Sequence, residues 1–518
     1  MVNNDASFVI FSGGSACNHI ANAFQSITPN VCYVLGISDN GGSTFSIKSE
    51  LLRVLGGPSI GDLRSRLTRL INVDGPHSEE LVAIKELLSY RLPPEGDEYT
   101  IRDEWSQIVE GRHRLWDRIP TEKKETIRGF LVLFNFEILK RAHKHFNFRN
   151  GSIGNFFLTG ARLFFGSLEA AIFLFESITA IREPTHVIPV INTNHTAAIA
   201  ALLEDGHILR GQCEISHPGE TKPDRSMMNP IDAFSRLALP NSPNQFTADE
   251  DAMNGNLVFS KRTEEKLTAA IKRIFYINLY AQEIYPWPNP KVIAHLASRR
   301  HLVYSIGSLY TSILPCLILR SVGHAIANSP SLKHKILLLN GTPDRETDGY
   351  TAMDFIGTIT NALNESQLID ARHKFYDDYA DGESALQTIY SQDRSDLYAR
   401  PVDHGFRQWP PQPLKRLQIQ TRPIASVLCE QPVSNGPLPG TISGTSTPPF
   451  PVELVPNLPP SRYITHLVYL ANSGIPVDVT AIEKLGICCI EIQPDLTSED
   501  PRYSAQQLQR ALNEIIKD

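Results

Sequence analysis

Acid, amide and hydroxyl side chains stand next to paired glycines in the run SDNGGST, residues 38–44. The candidate ligands in this run are Asp39, Asn40, Gly41, Gly42 and Ser43. Glycines let backbone N–H groups approach a phosphate, and a carboxylate beside them can hold a metal ion against that phosphate. The run therefore favours binding of a nucleotide or a phosphorylated substrate, with an Asx turn that caps a helix as the alternative.

A second glycine turn, SGGSACN at residues 12–18, ends the first apolar run of the chain. Its candidate phosphate ligands are Gly13, Gly14, Ser15 and Asn18. The turn has neither the G-x-G-x-x-G spacing of dinucleotide-binding folds nor the lysine of a P-loop. Taken alone, it is explained as well by a tight strand-to-helix turn as by a phosphate site at a helix N-terminus.

A third glycine turn, GGPSIGDLRSRL at residues 56–67, adds another acid, Asp62. Asp62 precedes a helical pattern, so it could cap that helix instead of binding a metal ion. Arg64, Arg66 and Arg69 follow on the same predicted helix. They could contact an anionic ligand there, or they could simply face solvent.

Three later polar loops that contain glycine supply further candidates: Asn155, Gly307, Ser308, Tyr310, Thr311, Asp348 and Tyr350. Each loop alone could be turn and capping chemistry. Two of them, at residues 305–315 and 340–356, follow predicted strands. Ligands bind outside the carboxyl ends of the strands in open α/β sheets, so we expect these loops to converge on one crevice.

The elements that position these loops alternate between strand and helix. Residues 7–11 and 31–37 are apolar, β-rich runs on either side of a helical pattern at 18–27, which together predict a βαβ unit. Further strands are expected at 185–192, 207–215, 301–307, 335–340, 465–471 and 486–492, and helices at 155–180, 263–273, 311–327 and 350–363. The alternation predicts an α/β fold, a doubly wound, mostly parallel sheet with helices on both faces. A short turn within ALLEDGHIL predicts a small antiparallel piece between the strands expected at 185–192 and 207–215.

Composition excludes several classes of protein. The net charge of −7 over 518 residues gives no basic footprint, so no nucleic-acid partner is expected. No apolar stretch reaches about 18 residues without a charge or a breaker, so no membrane span is expected. The seven cysteines form no CxxC pair, which argues against a zinc cluster and favours buried free thiols. With no signal peptide recognisable in MVNNDASFVIF, we expect a cytoplasmic protein, and a nuclear location stays open.

We expect one domain over residues 1–518 with three insertions. Residues 93–127 are charged, with a helix as one option; residues 216–258 form a polar loop pattern; residues 379–450 are rich in Pro, Ser and Gly and predict a flexible loop. Residues 461–518 are expected to return to the core.

The loops, in this order, resemble the CofD-like superfamily and, more closely, its YvcK-like branch of gluconeogenesis-factor-type proteins. The matching stretches are FSGGSACNHIANAF, ISDNGGSTFSIKSEL, PSIGDLRSRL, GSIGNFFLTGA, LEDGHILRGQCEI, IGSLYTSILPCLI and ETDGYTAMDFI. The resemblance implies a Rossmann-like core. CofD proteins transfer a phospholactyl group from a nucleotide-activated donor to the hydroxyl of a deazaflavin precursor with Mg²⁺. YvcK-like proteins bind nucleotide sugars such as UDP-N-acetylglucosamine and act in carbon metabolism.

By motif, the resemblance implies that Asp39 and Asp62 are the catalytic, metal-binding acids and that Mg²⁺ is the cofactor. It matches Gly13 and Gly14 to phosphate-turn glycines, and Tyr350 to a tyrosine associated with nucleotide-sugar binding. Two positions depart from the family pattern. The first turn is GGSA instead of GGTG, and Asn40 replaces the second acid of Asp-Asp-Gly-Gly, which leaves one carboxylate fewer for Mg²⁺.

Three functions are open on this basis. The first is a transferase of phosphorus-containing groups similar to 2-phospho-L-lactate transferase. The second is a non-catalytic, UDP-sugar-binding regulator of carbon metabolism, and the third is an interaction protein with a vestigial pocket. The expected partner is a nucleotide or nucleotide-sugar small molecule, and a homo-oligomer stays open.

Overall fold

In the computed structural model, the described residues are 6–14, 16–38, 51, 54–74, 78–141, 146–181, 183–216, 266–278, 280–380, 449–455, 457–495 and 500–517. The chain divides into two compact units, one formed by Met1–Gln367 with Asn457–Asp518 and one formed by Leu368–Pro456. Both β-sheets belong to the first unit. In the second unit, the Phe375 and Phe450 rings pack with their centroids 5.5 Å apart.

Eleven strands are present in the described residues. They are β1 Phe8–Ser12, β2 Val31–Leu35, β3 His186–Pro189, β4 Ala198–Leu203, β5 Ile208–Arg210, β6 Ile271–Ile277, β7 Glu283–Ile284, β8 His301–Tyr304, β9 His334–Leu338, β10 His466–Leu470 and β11 Cys488–Ile492.

Seven of the strands form one parallel sheet in the order β11-β10-β9-β8-β1-β2-β3. All residues of β1 and β2 are buried, as expected for strands that are covered on both faces. The predicted βαβ unit is confirmed, since β1 and β2 pair in parallel on either side of a short helix. The α/β, doubly wound fold predicted from the alternation of elements is therefore confirmed.

The helices of the described residues connect and cover these strands. They are α1 Ala21–Gln25, α2 Gly61–Leu70, α3 Ser78–Ser89, α4 Glu98–Glu110, α5 Thr121–Leu139, α6 Ile153–Phe165, α7 Leu168–Ile178, α8 Gly211–Ser216, α9 Pro290–Ser298, α10 Leu314–Leu317, α11 Val322–Asn328, α12 Ala352–Ala380, α13 Val479–Lys484 and α14 Ala505–Lys517. The single helix predicted over 155–180 is two helices, because Gly166 adopts a left-handed φ of 63° between α6 and α7. The helix predicted over 311–327 is likewise broken, between α10 and α11.

A second, antiparallel sheet has the order β5-β4-β6-β7. The small antiparallel piece was therefore expected in the right region but with the wrong partners. β3 pairs in parallel with β2, whereas β5 pairs with β4, which the sequence did not predict. Two further predictions are wrong: residues 271–273 begin β6 instead of ending a helix, and Gly211, with a φ of 80°, ends the strand predicted over 207–215 and begins α8.

The three predicted insertions differ in how much of them is described. Residues 93–127 contain α4 and the beginning of α5. Residues 217–258 and 381–448, which make up most of the other two, lie outside the described residues. Within the described parts of the chain, no single helix is both long and apolar enough to cross a membrane. Two helical segments, Leu309–Leu317 and Val322–Asn328, reach the necessary length and apolar character only when they are counted together, and they are bent by 76° relative to each other.

The order of the main sheet reverses at its centre. From β1 the chain adds β2 and β3 on one side, and it later adds β8, β9, β10 and β11 on the other. The carboxyl ends of β1 and β8 therefore flank the point where connections lead away in opposite directions. Such a switch point is where open α/β sheets leave a crevice for a ligand.

Candidate functional site

A polar cleft opens at this switch point, and we call it the switch-point cleft. It is lined by Ser12, Gly14, Gly36, Ser38, Asp62, Thr311 and Ser312. These residues end or follow β1, β2 and β8 or lie in the first turn of α2, as expected if the glycine loops converge. Three of the candidates predicted from the sequence, Gly14, Asp62 and Thr311, are thus brought together.

Asp62 lies in the first turn of α2, beside the glycine turn after β1. The position that a Cβ atom would take on Gly14 is 3.4 Å from Asp62 Oδ2 and 3.8 Å from Ser312 Oγ, and the φ of Gly14 is 39°. Only a residue without a side chain leaves this space open. Ile60 takes the N-cap position of α2, so the alternative that Asp62 caps the helix is wrong.

A fully buried arginine lies behind the cleft. Arg66 Nη2 donates to Ser12 Oγ at 2.9 Å, and its guanidinium stacks on the Tyr33 ring at 4.5 Å from the ring centroid. Its exposed fraction is 0%, which excludes the solvent-facing alternative. Within the described residues, its Nε and Nη1 atoms have no hydrogen-bond partner. Arg66 therefore places a positive charge directly beneath a hydroxyl of the cleft.

The backbones of the two glycine turns that follow β1 and β8 pack in direct contact at Gly13 and Gly307. A Cβ on Gly13 would lie 2.5 Å from the Ile306 carbonyl oxygen and 2.7 Å from Gly307 Cα. Gly307 has a φ of 146°, which favours glycine. The Gly307 N–H donates to Asn340 Oδ1 at 3.1 Å, and Asn340 Nδ2 donates to the Gly307 carbonyl at 2.9 Å. Packing alone thus requires both glycines, whatever they bind.

A buried carboxylate that the sequence analysis missed holds the loop after β8. Glu346 accepts hydrogen bonds from the N–H groups of Tyr310 at 3.0 Å and Thr311 at 3.1 Å, and from Thr311 Oγ1 at 2.6 Å. Ser216 Oγ, at the end of α8, also donates to it. Burial, together with the negative charge of Asp344, raises the pKa of Glu346 to about 7.

Asp344 organises the turn that presents Glu346. Its Oδ1 accepts from the N–H groups of Glu346 and Thr347, each at 3.1 Å, and Ser308 donates a side-chain hydrogen bond to it. Burial raises its pKa as well. Predicted site residue Ser308 therefore braces the loop after β9 and is not among the residues that line the cleft. The sequence feature that could have identified Glu346 is its position at the start of the run ETDGYT.

The two predicted tyrosines form a pair beside this loop. Tyr310 and Tyr350 share a hydrogen bond between their hydroxyls at 2.6 Å, and Tyr310 also donates to the Ile271 carbonyl at 3.1 Å. Tyr350 is half-buried, so one face of the pair can be reached from solvent. Asp348 instead forms a surface ion pair with Lys266 at 2.7 Å, and the structure does not bring it to the cleft.

Asn155 lies in a second cavity. This cavity is lined by Leu51, Gly56, Pro58, Ser59, Ile60, Gly61, Asn155, Thr159 and Arg162. Gly61 lines it, whereas the next residue, Asp62, lines the switch-point cleft. The two spaces are therefore neighbours on either side of the first turn of α2. Asn18 contacts the same helix, since its Nδ2 donates to Ser65 Oγ at 2.8 Å.

The remaining predicted site residues are Ser15, Asp39, Asn40, Gly41, Gly42 and Ser43, and all of them lie outside the described residues. Their proposed roles stay predictions. Of the free thiols, Cys17, Cys32 and Cys316 are buried as expected, whereas Cys488 is exposed.

The donor set of the cleft is compatible with a hard divalent cation. The described residues contain no cluster of three His, Cys, Asp or Glu side chains that could hold a metal by themselves. Asp62 and the nearby hydroxyls of Ser12, Thr311 and Ser312 are hard oxygen ligands. Mg²⁺ is commonly held by one or two carboxylates together with water and substrate phosphates, so these residues fit Mg²⁺ brought with a phosphorylated ligand.

Comparison with known proteins adds independent information. The model of the family 2-phospho-L-lactate transferase CofD matches residues 8–403. The uncharacterized protein YNL011C of Saccharomyces cerevisiae is 40% identical over 384 residues, which is 69% of this chain and 83% of that protein. A putative gluconeogenesis factor of Nostoc is 35% identical over 82 residues, 16% of this chain and 18% of that protein.

The fold also has a counterpart among solved structures. A Bacillus halodurans protein described as a member of the upf0052 family superposes with a TM-score of 0.52 at 15% identity. The alignment covers 98% of this chain and 99% of that one. At this identity, the similarity supports the fold alone.

Proposed function

The chain belongs to the family of the 2-phospho-L-lactate transferase CofD, and from this premise we propose that it binds a nucleoside-diphosphate conjugate, with the diphosphate in the switch-point cleft. The observation that carries the proposal is the combination of the Gly14 turn, the Asp62 carboxylate and the buried Arg66 at the reversal of the sheet. A cleft of this kind offers backbone N–H groups, hydroxyls and a positive charge to phosphate oxygens.

We extend the proposal to transfer of the phosphorus-linked group from this conjugate to an acceptor hydroxyl. The acceptor oxygen would bond to the distal phosphorus, the P–O bond of the diphosphate would break, the nucleoside monophosphate would leave, and the hydroxyl proton would pass to solvent. Asp62 would hold a Mg²⁺ ion, which neutralises negative charge on the diphosphate when it is bound. Arg66 keeps Ser12 Oγ in a fixed position, since its Nη2–H donates to that oxygen. Glu346 fixes Thr311 by accepting hydrogen bonds from both its N–H and its Oγ1–H. The Thr311 hydroxyl oxygen can therefore accept a hydrogen bond from another group but cannot donate one to it.

Calorimetric titration with GDP, UDP and UDP-N-acetylglucosamine, each with and without Mg²⁺, tests the proposal. Ligand at about 100 Kd should also raise the free energy of unfolding by roughly 2.7 kcal/mol. Asp62→Asn keeps the shape of the side chain and removes its charge. We expect this variant to lose the gain in affinity that Mg²⁺ gives while it keeps its Mg²⁺-free affinity.

The matched control is Asp103→Asn, the same change at an exposed position of α4, which should behave like the wild type. An Asp62→Asn variant with an unchanged Mg²⁺ effect would contradict the metal-binding role. If no nucleotide binds to the wild type, the binding proposal is wrong and an interaction protein with a vestigial pocket is favoured.

A second candidate function is a UDP-sugar-binding regulator of the gluconeogenesis-factor type that performs no transfer. The half-buried Tyr350 next to Tyr310, and the similarity to the Nostoc protein over 82 residues, favour it. This regulator would bind UDP-N-acetylglucosamine without cleaving it, as followed by ³¹P NMR. Tyr350→Phe keeps the ring and removes the hydroxyl, so the two changes Tyr350→Phe and Tyr350→Ala separate stacking from hydrogen bonding.

A further inference from the structure

The second cavity, here called the Arg162 cavity, has the chemistry of an anion site. It lies between the start of α2 and one face of α6. Asn155, Thr159 and Arg162 follow each other at spacings of four and three residues, so all three lie on the same face of α6. Across from them are Ser59 and the first residue of α2, Gly61.

Arg162 is fixed in this cavity by the backbone around it. Its Nη2 donates to the Gly56 carbonyl at 2.8 Å and its Nη1 to the Asn194 carbonyl at 3.4 Å. A Cβ on Gly57 would lie 2.5 Å from Arg162 Cζ, and the φ of Gly57 is 108°. The turn at Gly56 and Gly57 is thus shaped to accept a guanidinium group, which is only 6% exposed.

Positive charge is concentrated at and near the cavity, where the Asp62 carboxylate offsets part of the effect of burial on Arg64. Arg64, Arg91 and Arg162 form no ion pair with any carboxylate in the described residues, and burial lowers the pKa of each, that of Arg64 to about 10. Arg64 lies against α6, since a Cβ on Gly154 would be 3.0 Å from its Cγ. A buried charge without a partner is unfavourable, and an anionic ligand relieves that cost.

An orphaned polar group also lines this cavity, and as a carbonyl oxygen it accepts a hydrogen bond from a ligand hydroxyl such as that of a monoprotonated phosphate. Asn155 is 2% exposed, lines the cavity, and its Oδ1 has no hydrogen-bond partner in the part of the chain that the structure describes. Asn155 also lies in the first turn of α6, and Gly61 begins α2, so two helix N-termini contribute to one cavity. Helix N-termini favour negative charge.

We propose that the Arg162 cavity binds a small-molecule oxyanion, a phosphate or a carboxylate group, at a site separate from the switch-point cleft. Arg162 supplies the charge, Asn155 and Thr159 supply hydrogen bonds, and the start of α2 supplies backbone N–H groups. If the proposed function holds, the oxyanion belongs to the second substrate or to the group that the donor transfers. The two sites share the first turn of α2 and so can hold one reacting pair.

Titration of inorganic phosphate into the full chain, in the presence of saturating UDP, tests the inference by calorimetry and by thermal shift at constant ionic strength. UDP occupies the cleft, so the remaining phosphate binding reports the Arg162 cavity. We expect one equivalent of phosphate to bind the wild type and the affinity to fall at least tenfold in Arg162→Gln. A parallel titration with acetate distinguishes a carboxylate site, which binds both probes, from a phosphate site, which discriminates against acetate.

Arg162 also holds two backbone carbonyls, so Asn155→Asp is the second variant. It preserves the shape of a side chain whose Oδ1 has no hydrogen-bond partner in the described residues, adds a negative charge to the cavity, and should weaken phosphate binding at least tenfold. Arg69→Gln, an exposed arginine on α2, is the matched control and should bind phosphate like the wild type.

Phosphate binding that survives in folded Asn155→Asp overturns the inference, and so does an absence of phosphate binding to the wild type. The outcome is independent of the proposed function. If UDP fails to bind, the difference between wild type and Asn155→Asp in phosphate alone still decides whether the Arg162 cavity is an anion site.

Discussion

Replacing Glu346 with Gln should remove a pH dependence of stability while it leaves every contact in place. The backbone N–H groups of Tyr310 and Thr311 both donate to Oε2 of Glu346, whereas the hydroxyls of Ser216 and Thr311 both donate to Oε1. A glutamine with its oxygen at the Oε2 position accepts the same two N–H groups. Its amide then donates to the two hydroxyls, which reverse their roles because a hydroxyl can donate or accept.

The sign of the effect follows from the raised pKa of Glu346, which is about 7 in the folded chain against an ordinary value of 4.5. Between these values the folded state binds more protons than the unfolded state, so the free energy of unfolding falls as the pH rises through this window. The difference between these two pKa values corresponds to a change of roughly 3 kcal/mol in the free energy of unfolding. With an unfolding entropy near 2.1 cal/mol/K per residue, 518 residues convert this to a shift of about 3 °C.

The assay is the thermal midpoint of wild type and Glu346→Gln at pH 5 and pH 8, read as the difference between the two proteins so that other titrations cancel. We expect similar midpoints at pH 5 and an advantage of about 3 °C for Glu346→Gln at pH 8. Asp344→Asn should give part of this effect, because it removes the repulsion that helps to raise the pKa of Glu346. A gap that stays constant between pH 5 and pH 8 would refute the reasoning.

Two further predictions concern the main sheet. Gly13→Ala places a Cβ 2.5 Å from the Ile306 carbonyl oxygen and should lower stability by roughly 1–3 kcal/mol, whereas Gly357→Ala, in open space on α12, should not lower the thermal midpoint. His301 packs between the rings of Phe8 and His334, and burial lowers its pKa to about 3 from an ordinary 6.5. The unfolded state therefore binds the extra proton below pH 6.5, and stability is lost as the pH falls. His301→Phe should weaken the drop in thermal midpoint between pH 6.5 and pH 4, and a drop as large as that of the wild type would count against this account.

Local patterns were sufficient for the centre of the fold. The runs that became β1 and β2 are apolar at every position, which is typical only of strands covered on both faces, and the helical spacing between them required a parallel pair. The placement of glycine loops at the carboxyl edge followed from that topology. Gly14, Asp62 and Thr311 could therefore be predicted to meet although they are far apart in sequence.

The failures occurred where tertiary contacts decide the structure. The segment IKRIFYI alternates too little to distinguish a strand from a helix, and it becomes β6 because β4 and β7 pair with it. Glu346 resembles any charged residue of a polar loop. Only the approach of Ser216, which is 130 residues away, and of the turn after β8 converts it into a buried acceptor of four hydrogen bonds.

The distribution of charge within the fold unites the two cavities. The chain has a net charge of −7, yet Arg64 and Arg66 on α2 and Arg162 in the last turn of α6 are all less than 10% exposed. None of them forms an ion pair in the described residues, so hydroxyl, carbonyl and ring contacts and the charge of Asp62 balance their desolvation only in part. Arginines that served only packing could be replaced by apolar residues at lower cost. Their position around two adjacent polar spaces is therefore best explained by ligands that bring further negative charge, one on each side of the first turn of α2.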